Sequence, residues 1–113
     1  MKLGLIGEKL GHSLSPEIHQ KIFEKLGICG TYNLLPIARM NLKDTVETLL
    51  ESMDGFNVTI PYKTDIMPFL DEISPEARTI GAVNTVAVHD GKRYGYKNDY
   101  DGFARRLDKI AGE

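Results

Sequence analysis

Asn57, Thr59 and Lys63 stand two and four positions apart in the run Gly55-Phe-Asn-Val-Thr-Ile-Pro-Tyr-Lys63. Phe56, Val58 and Ile60 alternate with Asn57 and Thr59, the period of a strand with one apolar and one polar face. Pro61 cannot donate to a ladder and ends the strand. Lys63 therefore emerges just past the carboxyl end, the edge where open α/β sheets bind ligands. An amide, a hydroxyl and an amine converging there suit a small, oxygen-rich substrate, with the amine able to exchange a proton. A solvated strand face followed by an ordinary surface lysine accounts for the same residues.

Two further polar groups have a spacing of their own. Asp90-Gly91 is the dipeptide favoured in two-residue type I′ hairpin turns. That loop pairs His89 with Lys92, hence Asn84 with Lys97 and Ala82 with Asp99. Cross-strand partners share a face, so Asn84, Lys97 and Asp99 face one way, as a ligand cluster or as a solvated hairpin face. In Gly11-His-Ser-Leu-Ser-Pro16, two serines precede a helix start. Free N–H groups and the helix dipole favour an anion such as a carboxylate there. Capping by Ser15 explains one serine and leaves Ser13 without a role.

The elements that must position these residues follow from the pattern. Residues 3–6 are an apolar run closed by Gly7, a buried strand. Pro16 opens a helix at N1, Ile18, Ile22, Phe23 and Leu26 form its apolar stripe, and Gly27 ends it. A second strand covers 32–37, a second helix 42–50 buries Leu42, Val46, Leu49 and Leu50, and the 55–63 strand comes third. Helical segments are expected over 64–73 and 74–80, then the hairpin 83–89 and 92–96, then a helix over 100–110. This order predicts an α/β fold, a three-layer αβα sandwich with a mainly parallel sheet and one antiparallel hairpin.

The 113 residues fit one domain, and 42% hydrophobic with 27% charged residues describes a globular chain with a real core. A net charge of −2 with scattered Lys and Arg gives no nucleic-acid footprint. The single cysteine, Cys29, excludes an internal disulfide and suits a reducing cytoplasm. With His12, His19 and His89 far apart, no metal-ligand spacing emerges. The apolar start is too short for a signal or a membrane span, so a cytoplasmic protein is expected.

Taken in order, Gly11-His-Ser-x-Ser-Pro16 with His19, the 55–63 run, Gly81-Ala-Val-Asn-Thr85 and Gly95-Tyr-x-x-Asp99-x-x-Gly102 resemble the N-terminal, substrate-binding domain of the shikimate dehydrogenases. The resemblance covers essentially the whole chain and extends to the related quinate/shikimate dehydrogenases. It implies reversible, NADP-dependent reduction of 3-dehydroshikimate to shikimate on the route to chorismate and the aromatic amino acids. Ser13 and Ser15 match the pair that holds the substrate carboxylate. Thr59, Asn84 and Asp99 match residues on the ring hydroxyls, and Asn57 supports the pocket. Lys63 and Asp99 match the catalytic pair that exchanges a proton with the reacting hydroxyl. A free lysine, with a pKa of about 10.4, is a poor base at neutral pH.

The chain departs from the family pattern at Lys97-Asn98, where Asn-Thr/Ser is usual, and at Gln20, where asparagine follows the helix histidine. In the expected register Lys97 adds a second cation beside Asp99. No Gly-x-Gly-x-x-Gly follows a strand, since Gly4, Gly7 and Gly11 are wrongly spaced. The expectation is therefore a chain of 1–113 forming the substrate-binding domain, without an NADP-binding Rossmann domain or a cofactor of its own, and inactive alone. A non-catalytic shikimate- or quinate-binding module is the alternative. A homo-oligomer remains open.

Overall fold

The computed structural model describes residues 1–10, 15–27 and 29–97. Strand β1 (Lys2–Gly7) is buried from Leu3 onward, as a strand must be when it is paired on both edges and covered on both faces. On one side it pairs in parallel with β2 (Thr31–Pro36), on the other with β3 (Gly55–Val58). Beyond β3 lie β5 (Thr85–His89), β6 (Lys92–Tyr96) and the two-residue β4 (Glu72–Ile73), giving the order β2-β1-β3-β5-β6-β4. β5 is antiparallel to both of its neighbours and β4 parallel to β6. Five strands thus share one direction and β5 alone is reversed. The hairpin has the expected register, His89 opposite Lys92 through Thr85 opposite Tyr96. Asp90 (φ 52°) and Gly91 (φ 76°) both take the positive φ that a type I′ turn requires.

Helices cover both faces, as expected. Leu3 and Leu5 of β1 pack with Tyr32, Leu10 and Phe23 of α1 (Ser15–Leu26). Ile6, Phe56, Val58 and Val86 point the other way. They meet Val46 and Leu50 of α2 (Leu42–Ser52) and Ala77 of α3 (Pro75–Ile80). Ser74 caps α3 by accepting the Ala77 N–H at 3.3 Å, and Gly81 ends it at φ 77°.

Three expectations need correction. The stripe on α1 is rotated: Ile18 and Leu26 are exposed while His19 and Phe23, four apart, face the sheet. The third strand ends at Val58 rather than Lys63. Thr59 still donates its N–H to Ile6 (2.9 Å), but Tyr62 then closes a turn onto the Thr59 carbonyl (3.1 Å). Ile60 consequently leaves the apolar face and is 75% exposed. No α-helix spans 64–73, and none starts at Lys63. A short 3₁₀ segment, Met67–Phe69, precedes β4. Pro68 removes an N–H from the would-be helix, and Asp71 and Ser74 donate instead to Arg93 and Gly95, both at 2.9 Å, on the sheet edge. The helix expected over 100–110 lies outside the described residues.

Candidate functional site

Reversal of β5 decides where the polar residues meet. Its first residues lie beside the carboxyl end of β3, where Val58 donates to the Asn84 carbonyl (2.9 Å) and Val83 to the Lys63 carbonyl (2.8 Å). Asn57, Thr59, Lys63 and Asn84 are thereby gathered at one sheet edge, all of them half-buried. Ser15 is the first residue of α1, the helix that follows β1. Ser13 and Asp99 lie outside the described residues, as does Asn98; Lys97 is exposed.

Asn57 projects onto the α1 face, opposite Thr85 in the antiparallel register. The Tyr32 hydroxyl donates to Asn57 Oδ1 at 2.7 Å. Asn57 Nδ2 donates to the Asn84 carbonyl (3.4 Å) and to Thr85 Oγ1 (3.3 Å). Thr85 Oγ1 in turn donates to Asn84 Oδ1 at 3.1 Å. His19 stacks on the Tyr32 ring, with centroids 4.0 Å apart and planes at 13°, and so holds that ring in place. Tyr32 and Thr85 are not foreseen as site residues in the sequence. Only the β3–β5 pairing, between residues 28 apart, reveals Thr85.

Thr59 rests against β1 where Gly7 leaves room. A Cβ at Gly7 would come within 2.6 Å of Thr59 Cγ2 and 2.8 Å of Leu10 Cδ2. With its methyl toward Gly7, the Thr59 hydroxyl occupies another staggered branch. Lys63 is held through its backbone: Val83 fixes its carbonyl, Thr64 Oγ1 donates to Gly81 at 3.0 Å, and buried Tyr62 donates its hydroxyl to the Ile37 carbonyl. Burial pushes the Tyr62 phenol above its ordinary pKa, and nearby Glu8 adds to the rise. Among the described residues, no ion pair engages the Lys63 ammonium.

A hollow of about 170 Å³ lined by Glu8, Lys9, Ile60 and Pro61 opens beside the Thr59 turn. A larger one, about 360 Å³ along Pro75, Glu76, Thr79 and Ile80, lies on the outer side of α3, away from these polar groups, and has no comparable chemistry. Among the described residues no three His, Cys, Asp or Glu side chains form a metal site, and no helix is long and apolar enough to cross a membrane. The space beside Gly7 is filled by Thr59 and Leu10, and that beside Gly4 by Leu35 and Met53, so neither of these two glycines opens a cradle for a pyrophosphate.

Residues 5–86 match the family described as shikimate dehydrogenase substrate binding domain. A Clostridium perfringens protein named shikimate dehydrogenase (NADP(+)) is 55% identical over 111 residues, 96% of this chain and 41% of that protein. The crystal structure of shikimate dehydrogenase 1 from Peptoclostridium difficile superposes with a TM-score of 0.83 at 43% identity, over 98% of this chain and 41% of that one. The Thermus thermophilus shikimate 5-dehydrogenase, solved with NADP(H) and shikimate, gives a TM-score of 0.83 at 35% identity, over 99% and 42%. The chain thus spans about two fifths of the length of these relatives.

Proposed function

This chain belongs to the shikimate dehydrogenase substrate-binding-domain family, and we propose that it is the substrate-holding part of an NADP-dependent shikimate dehydrogenase. The observation that carries the reading is the gathering of Asn57, Thr59, Lys63 and Asn84 at the edge where the parallel strands end and β5 begins. Two amides, a hydroxyl and an amine at a half-buried edge match the hydroxyl-rich ring of shikimate. Ser13 and Ser15 hold its carboxylate; Ser15 opens a 12-residue helix, whose dipole favours negative charge at that end. Thr59, Asn84 and Asp99 take the ring hydroxyls, and Asn57 keeps Asn84 in place.

Lys63 is the proton carrier and Asp99 its partner. In oxidation the neutral amine accepts the proton of the reacting hydroxyl; in reduction the ammonium returns it to the carbonyl oxygen. The chain alone does not turn over, because nothing among the described residues positions a hydride acceptor. The reducing compartment that suits an exposed lone thiol, Cys29, is the cytoplasm.

Titration of the ¹⁵N-labelled chain with shikimate tests this. Saturable amide shifts at Ser15, Thr59, Lys63 and Asn84, with a Kd of about 1 mM, correspond to roughly 4 kcal/mol of recognition by these residues alone. A well-dispersed spectrum that does not move with shikimate overturns the reading, as does NADP-dependent turnover by the chain for the inactivity.

A further inference from the structure

The orientation of every amide at the site follows from one backbone group. The Asn84 carbonyl can only accept, so Asn57 must turn Nδ2 toward it, at 3.4 Å. Asn57 Oδ1 is then left facing the Tyr32 hydroxyl, which donates at 2.7 Å. The second Nδ2 hydrogen goes to Thr85 Oγ1, at 3.3 Å. Having accepted there, the Thr85 hydroxyl has one hydrogen to give, and Asn84 Oδ1 stands 3.1 Å away. Asn84 must therefore hold its oxygen toward Thr85 and its Nδ2 on the opposite branch.

Thr85 is completely buried, so it has no access to a ligand. We infer that Thr85 is a positioning residue: its hydroxyl relays the orientation of Asn57 to Asn84 and presents the Asn84 NH₂ as a donor to a substrate oxygen. The relay makes the site selective for an acceptor at that point, a hydroxyl or carbonyl oxygen, over a group that can only donate. This inference rests on the substrate-holding role proposed for Asn84.

The test compares Thr85→Val, which keeps the shape and removes the hydroxyl, with Thr85→Ser, which keeps it. In the ligand-free chain, contacts between the Asn84 side-chain NH₂ and the methyl groups at position 85 are read by nuclear Overhauser effects. They are weak in the wild type, and strengthen in Thr85→Val as the Asn84 amide turns over; Thr85→Ser, which has no methyl there, serves as the control in the affinity readout. An Asn84 amide that keeps its orientation in Thr85→Val overturns the relay, whether or not shikimate binds. Absence of binding by the wild type, with the orientations as described, instead defeats the functional reading alone.

Affinity for shikimate supplies the second readout. One hydrogen bond of this kind changes a dissociation constant by about threefold to tenfold, the loss expected for Thr85→Val, with Thr85→Ser restoring it to within about twofold. In an Asn84→Ala background, Thr85→Val adds almost nothing, because the residue through which it acts is gone. Equal losses for Val and Ser, or the same loss with and without Asn84, overturn the inference. Thr85→Ala, which also lacks the hydroxyl, replaces Thr85→Val in both readouts if the valine form does not fold.

Discussion

Replacing Asn57 by leucine removes three hydrogen bonds at once: the acceptor of the Tyr32 hydroxyl at 2.7 Å, and the donors to Asn84 and Thr85 at 3.4 and 3.3 Å. The short bond contributes about 1 kcal/mol and the two long ones about 0.5 kcal/mol each, because folding exchanges them for bonds to water. The sum is about 2 kcal/mol, a large share of the roughly 5–15 kcal/mol that holds a domain folded. Urea unfolding followed by circular dichroism measures it. With a slope of about 1–3 kcal/mol per molar, the midpoint falls by about 1 M at unchanged slope. Tyr32→Phe alone costs about 1 kcal/mol through the same short bond. The double variant therefore costs about 2 kcal/mol, not 3, a coupling of about 1 kcal/mol. Single effects that add to within about 0.3 kcal/mol would falsify the claim that the Tyr32–Asn57 bond holds the site together.

Other perturbations read the neighbouring contacts. Gly7→Ala puts a methyl 2.6 Å from Thr59 Cγ2 and 3.3 Å from the Ile60 carbonyl. Thermal unfolding should show a loss of about 1–3 kcal/mol for that overpacking; an unchanged melting temperature sinks the idea that Gly7 seats Thr59. Tyr62→Phe removes the bond to the Ile37 carbonyl, costing about 1 kcal/mol at neutral pH. Because the folded-state pKa of Tyr62 is raised above its ordinary 10.0, the wild-type advantage is complete below pH 10 and is lost as pH rises through the folded value. Denaturant titrations from pH 8 upward, in about one-unit steps, check this, and a wild-type-to-variant difference that stays constant across the series contradicts the sign.

Much of this architecture is legible in the sequence because the signals are local. Apolar continuity marks β1, Asp90-Gly91 marks the hairpin and its register, and the 3.6-residue period marks α2. The failures are non-local. The alternation of Phe56, Val58 and Ile60 continues on paper, but the chain turns after Thr59 and Ile60 meets solvent. Helical spacing over 64–73 loses to Pro68 and to the edge of β6, which takes up the Asp71 and Ser74 N–H groups. The stripe on α1 is set by the Tyr32 ring, against which His19 stacks, and no pattern within α1 contains that fact.

The site shows the same division. The polar face of Asn57 and Thr59 follows from period two, but period two cannot say what lies across from it. A hairpin added to either edge of the growing sheet satisfies the same local rules, and only one placement sets Thr85 opposite Asn57. That placement inserts a single reversed strand beside β3. A reversed strand begins where its neighbours end, so it brings Asn84 to the carboxyl edge without a crossover helix. Its backbone carbonyl then fixes the Asn57 amide, and its next residue fixes Asn84 in return. The reversal of β5 is thus both a topological feature and the reason that two amides 27 residues apart come together in defined orientations at one sheet edge.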